Sequence, residues 1–289
     1  MKSRPSAARR VSAARARAAI RWLRATPAGR TAWRLGETLV EIELVDRALA
    51  LAAQIFTSVL PVIIAASAFS GWQPTTDTIR DQFGFDPAVL HAGDAATSSD
   101  RSLTAFGVVG LLMIILSGTS FARALGRVYG AVWRVPSMGP RDAWRWLTAL
   151  LAVALSTALV EQTRDLTRIR VAGQPLALLG EIAVWTLVWA FAPFLLTKGA
   201  LTGRVLWTTG VLTAVGLTAV HVVARLVLPR ITAQAQRHFG PWGLAFTSVS
   251  WLFVMSVVIV GAAAIVKAVA SDDTAVGHYL RHRAPATGA

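Results

Sequence analysis

The sequence predicts an all-α, polytopic membrane protein with six transmembrane helices and both termini in the cytoplasm. Three observations carry that prediction. Six apolar runs are long enough to cross a bilayer, whose hydrocarbon core of about 30 Å needs roughly 20 helical residues. Lysine and arginine gather in alternate gaps between those runs. Charged residues make up only 15% of the chain against 54% hydrophobic ones, whereas a soluble domain is nearer about 25% charged.

The runs are Ala48–Gly71, Leu103–Phe121, Ala143–Val160, Leu176–Thr197, Val205–Leu228 and Gly243–Ala270. They divide the chain into a basic cytoplasmic leader (1–46), a six-helix transmembrane domain (47–270) and a flexible cytoplasmic tail (271–289). Orientation follows from the rule that lysine and arginine near helix ends stay inside. Twenty of the 29 lie before the first run, in the second and fourth gaps, in the tail or, as Lys267, near the inner end of the sixth run, and seven lie in the other three gaps. Both termini are therefore expected inside, which an even number of spans allows.

The leader holds arginine clusters over Arg9–Arg24 interleaved with Val11, Ile20, Trp22 and Leu23. That pattern fits an interfacial helix with its arginines on headgroups, or equally a disordered basic tail. Thr26-Pro27-Ala28-Gly29 breaks the pattern. From Thr31 helical spacing resumes through Trp33, Leu39, Ile42 and Val45, and the chain is expected to turn into the first span near Asp46. Ala66-Ser67-Ala68 resembles a signal-cleavage site, but the leader and apolar run before it are too long for a secretory signal. The first span is read as a retained helix.

Polar residues inside a bilayer are default functional candidates, because hydrocarbon offers them no partner. In the first span Gln54, Ser58 and Pro61 share a helical face with Arg47, and Pro61 is expected to free a backbone acceptor and bend the helix. In the fifth, Gly210, Ala214, Thr218, His221 and Arg225 recur every three or four residues. Both stripes fit either a polar path or hydrogen-bonded helix packing. Arg225, one turn before Pro229, could also snorkel to the outer surface. Glu161 and Glu181 flank the third gap, which faces outward, where Arg164, Arg168, Arg170 or Arg225 could pair with them. Arg123 and Arg127, four apart at the inner end of the second span, are candidates for binding lipid headgroups. Trp133, Trp144 and Trp146 would form an aromatic belt there.

The net charge of +14 lies mostly in the leader and inward gaps, where anionic lipid headgroups attract it. Membrane lipids are thus the expected partners, and nucleic acid is not. The absence of cysteine removes disulfides, thiolate chemistry and cysteine-based metal sites. No phosphate-binding loop, dinucleotide fingerprint, serine-hydrolase elbow or zinc-protease motif occurs. The five aspartates of the 72–101 gap lack the spacing of a calcium loop. His278 and His282 are four apart in the flexible tail and are not read as a metal site. Neither cofactor, metal nor enzymatic activity is expected. Arginine outnumbers lysine 26 to 3, a bias that fits a GC-rich bacterial genome.

Three segments carry a family resemblance. Arg47-Ala-Leu-Ala-Leu-Ala-Ala-Gln-Ile-Phe-Thr-Ser-Val-Leu-Pro61 resembles the first-span signature of the YihY/BrkB membrane-protein family, with its Ser-x-x-Pro element. Ser117-Gly-Thr-Ser120, followed by Ala124-Leu125, Tyr129 and Trp133, resembles the second. Phe239-Gly-Pro-Trp-Gly243, running into Ser250-Trp-Leu252 and Gly261-Ala262, resembles the sixth. The match covers about residues 37–268, and the arginine-rich leader is most similar to the YhjD-like branch. The resemblance implies a protein of the bacterial plasma (inner) membrane that contributes to envelope integrity, and, for that branch, movement of a lipid or lipopolysaccharide precursor. An older ribonuclease label for the family finds no support in these residues. Where many members have Gly-Ala-Glu in the last span, this chain has Gly261-Ala262-Ala263, so no role of that glutamate carries over. The leading expectation is a non-enzymatic protein that moves a lipid or anionic amphiphile between leaflets. The alternative is a membrane scaffold that holds envelope protein partners.

Overall fold

The computed structural model describes residues 26–68, 100–136, 142, 144–149, 151–152, 155–156, 159 and 173–281. These residues form helices and turns, with no strand among them. The helices are α1 (Pro27–Glu41), α2 (Leu44–Ala68), α3 (Asp100–Trp133), α4 (Gly173–Leu196), α5 (Gly203–Phe239), α6 (Pro241–Ala270) and α7 (Ala275–Arg281). Among the described residues three stretches are long and apolar enough to cross a membrane: Pro175–Leu196, Gly203–Phe239 and Trp242–Ala270. They correspond to the fourth, fifth and sixth runs. The first and second runs lie on α2 and α3. The described residues of the third run are helical at 144–149, 151–152, 155–156 and 159. The Arg9–Arg24 segment, the 72–99 part of the first outward gap, Glu161, Arg164, Arg168, Arg170 and His282 lie outside the described residues.

Several boundaries differ from the sequence reading, each for a local reason. Thr26-Pro27-Ala28-Gly29 does not interrupt a helix but starts one. Thr26 is the N-cap, its hydroxyl accepting from the Gly29 N–H at 3.2 Å, and Pro27 needs no N–H partner at that position. The turn into α2 falls at Ile42–Glu43, ahead of Asp46. Glu43 takes a φ of 51°, and the Arg47 guanidinium donates to the Ile42 carbonyl at 2.6 Å. Arg47 therefore closes the bend instead of extending the polar face of α2. The α3 helix continues twelve residues past Phe121. Ala124, Leu125, Val128, Tyr129 and Val132 there are all buried, so packing sustains the helix after hydropathy falls. Similarly α5 runs through Pro229 to Phe239.

One contiguous apolar core joins the helices. It includes Leu51 of α2, Leu125 and Tyr129 of α3, Trp185 and Trp189 of α4, Leu217 of α5 and Val260 of α6. Small residues set how closely the helices approach. A Cβ on Gly210 would lie 2.6 Å from the Thr186 carbonyl oxygen and 2.9 Å from the Ala190 nitrogen, so α5 touches the α4 backbone there. A Cβ on Gly216 would lie 2.6 Å from a Val258 methyl, which fixes the register of antiparallel α5 and α6.

Both ends of the described chain sit at one end of the bundle. Arg34 of α1 bridges Asp272 just after α6 at 2.9 Å and donates to the Ser271 carbonyl at 3.0 Å. Glu41 of α1 pairs with Arg134 at the end of α3. The segment assigned to the tail carries α7, which buries Gly277 and Leu280. Arg204 at the start of α5 donates to the Tyr279 carbonyl and lies 4.2 Å above the Tyr279 ring. Lys198, just past α4, meets Asp142 at 2.7 Å. The opposite end is formed by the α5–α6 hairpin.

Candidate functional site

The eight residues singled out from sequence fall into three places. Gln54 and Ser58 of α2 face α3. The Gln54 amide donates to the Ser120 hydroxyl at 2.9 Å. Ser58 donates to the Ser117 carbonyl at 3.1 Å, and Ser117 returns a bond to the Ser58 carbonyl at 2.9 Å. This ladder satisfies both helices at once, as polar side chains do between membrane helices. Pro61 lies farther along, and α2 continues through it to Ala68.

Arg123 and Arg127 are exposed on α3. Arg123 lies 5.6 Å from the centre of the Trp146 ring and donates to the Thr119 carbonyl at 3.3 Å. The shared exposed face expected of them is present, and Trp146 adds a cation–π contact to it.

Thr218 and His221 are buried in α5 whereas Arg225, one turn on, is exposed. The stripe therefore starts inside the bundle and emerges from it. His221 stacks on Trp185 of α4, with ring centres 6.4 Å apart. Its Nδ1 lies 3.9 Å from a carboxylate oxygen of Glu181. Sequence reasoning offered Glu181 only arginine partners; helix pairing gives it a histidine.

Around this pair the structure gathers polar groups that sequence reasoning missed. The indole N–H groups of Trp185 and Trp189 are buried without a hydrogen-bond partner among the described residues. So are the hydroxyls of Thr213 and Thr218 on α5 and of Ser256 on α6. The Gly216–Val258 contact places Thr218 and Ser256 at one level, each two residues along in opposite directions. Helix hydroxyls ordinarily fold back on the carbonyl four residues earlier. Thr208, Thr209, Thr247 and Ser250 in the same two helices do so, at 2.7 to 2.8 Å. Thr213, Thr218 and Ser256 do not. A buried polar group left unpaired costs about 1–3 kcal/mol, so each of these five side chains of the α4–α5–α6 seam would be stabilised by a partner. Indole nitrogens only donate, and the partner they suit is an acceptor.

At the α1 end, the carboxyl of Asp272 is held below its ordinary value. The Thr31 hydroxyl bond contributes most, and the Asp273 N–H and the charges of Arg34 and Arg30 also lower it against the opposing effect of burial. Glu41 is likewise lowered, by its hydrogen bond to Arg134 and by that guanidinium's charge. No group of three or more metal-ligating side chains occurs among the described residues. Comparison with known protein families, curated proteins and solved structures gave no match.

Proposed function

We propose that this chain is a six-span protein of the bacterial inner membrane, of the YihY/BrkB type. It passes a lipid or other anionic amphiphile between leaflets without altering it chemically, and so contributes to envelope integrity. The observation that carries this is the α4–α5–α6 seam. Within the three described helices apolar enough to cross a membrane, five buried side chains present polar atoms unpaired among the described residues, two of them strict donors. A phosphate-bearing headgroup is rich in acceptors and meets that demand. The exposed arginines Arg225, Arg123 and Arg127 are the charges that would receive such a headgroup. The α1 end is read as cytoplasmic, with both termini inside, because the leader and tail converge there along with Lys198, Arg204 and Lys267. The polar residues of α2 are engaged with α3, so the path is assigned to α4–α6.

The test is translocation of headgroup-labelled phospholipid in proteoliposomes, read with a membrane-impermeant quencher. Wild-type protein should expose the protected inner-leaflet label, and the Thr218→Val/Ser256→Ala variant should not. Undiminished movement in that variant would reject the seam as the path. No movement with any lipid tested would favour the scaffold reading, which deletion of residues 1–30 then probes through loss of co-purifying proteins.

A further inference from the structure

At the hairpin end α5 and α6 leave the core. Their 37 and 30 residues span about 55 and 45 Å at about 1.5 Å per residue, well beyond a hydrocarbon core of about 30 Å. Between the last turns of α5 and the first turns of α6 lies a trough of about 540 Å³. Leu228, Ile231, Phe239, Phe246, Trp251 and Val254 line it. A second pocket of about 310 Å³ shares Ile231 and Phe239 with the trough and adds Gln234 and His238. A Cβ on Gly243 would lie 2.3 Å from the Ala235 carbonyl oxygen, so the helices cross in direct contact beside the trough.

On α5 and α6 themselves the charges beside it have one sign. Neither α5 nor α6 contains an aspartate or glutamate. Arg225, Arg230, Arg237 and His238 are all exposed along the outer part of α5, and among the described residues none of these arginines has a carboxylate partner. Phe239 and Phe246 remain 68% and 70% exposed. Exposed aromatic surface beside unpaired cations is the chemistry of an amphiphile site: apolar contact for a tail, charge-assisted donors for a phosphate.

We infer that the α5–α6 trough binds one acyl chain of an anionic phospholipid, whose phosphate rests on Arg230 and Arg237 at the rim beside Gln234 and His238. This rests on the membrane placement proposed above, and on no movement of the lipid. It would serve as the loading site on the side of the membrane opposite the α1 end.

The test uses the full chain in phosphatidylcholine nanodiscs doped with photoactivatable phosphatidylglycerol, with labelled peptides mapped by mass spectrometry. Label should concentrate within 228–254. Ser250→Trp and Ile231→Trp each fill the trough from an exposed position and should reduce the label about tenfold. Arg230→Ala/Arg237→Ala should reduce phosphatidylglycerol labelling by a similar factor and leave a phosphatidylcholine probe unchanged. Label spread evenly over the apolar helix surfaces and indifferent to these variants would mean ordinary surrounding lipid, and would overturn the site. So would a disulfide forming between Ser250→Cys and Phe85→Cys, which would show the 69–99 segment occupying the trough. Failure here with translocation intact leaves the proposed function standing. Localised label with no translocation does the reverse.

Discussion

The α2–α3 interface and the α4–α5–α6 seam contain the same kinds of residues and treat them in opposite ways. In the first, Gln54, Ser58, Ser117 and Ser120 exchange hydrogen bonds across the interface. In the second, Thr213, Thr218, Ser256 and two tryptophans are buried with no hydrogen-bond partner among the described residues. Polar residues in an apolar bundle are thus of two kinds: those that join helices and those held ready for something else. Sequence periodicity picks out Gln54, Ser58 and Thr218 without telling the two kinds apart, and passes over Thr213 and Ser256.

The most disruptive way to break this contrast is Gly210→Val. The atoms in its way are the backbone of Thr186 and Ala190, which cannot rotate aside, so overpacking should cost about 3 kcal/mol. Loss of monodisperse protein in detergent size-exclusion chromatography would show it, whereas a well-behaved variant would mean that α4 and α5 separate freely. Next comes a difference of sign. Ser58→Ala/Ser117→Ala removes a reciprocal pair and should lower stability by about 1 kcal/mol while leaving lipid movement intact. Thr213→Val/Ser256→Ala removes unpaired groups and should leave thermal stability unchanged or raised by about 1 kcal/mol while abolishing movement. Chemical denaturation in detergent compares the two variants, and equal destabilisation of both would erase the distinction between the regions.

The smallest effect expected is at the α1 end. The folded-state values of Asp272 and Glu41 lie below their ordinary values of 3.8 and 4.5. Their contributions to holding α1 are therefore complete above those values, and fade as pH falls through the lower folded ones. Hydrogen exchange over Pro27–Glu41 should be constant between about pH 8 and about pH 5 and accelerate, relative to intrinsic rates, toward about pH 3. Asp272→Asn should show the acid-state protection already at neutral pH. Indifference to both would mean that apolar packing alone seats the helix.

Hydropathy located α4 and α6 well, because each buries apolar side chains in the core and presents others outward along its length; it ended α5 eleven residues short of Phe239. It ended α3 too early, since Arg123 and Arg127 enter on the exposed face while Leu125, Tyr129 and Val132 continue the buried one. The His221–Glu181 meeting was out of reach because forty residues separate the partners, and only the close contact at Gly210 brings their helices into that register. Thr213 and Ser256 carry no local mark. Beside Thr209 and Ser250, which bond their own helix, they look identical until neighbouring helices are in place. Arg47 was assigned to a polar face by its spacing, yet it serves the bend before α2, a role visible only once Glu43 turns the chain.

The bond between Arg34 and Asp272 joins residues 238 positions apart, and that separation has a consequence for biosynthesis. The α1 helix cannot complete this pairing until the chain through α6 has been made. Until then α1 lacks its ion-pair partner, so the pairing can form only after α6 is complete. A chain truncated before Asp272 would leave α1 undocked, giving cellular quality control an early-made segment by which to recognise an unfinished product.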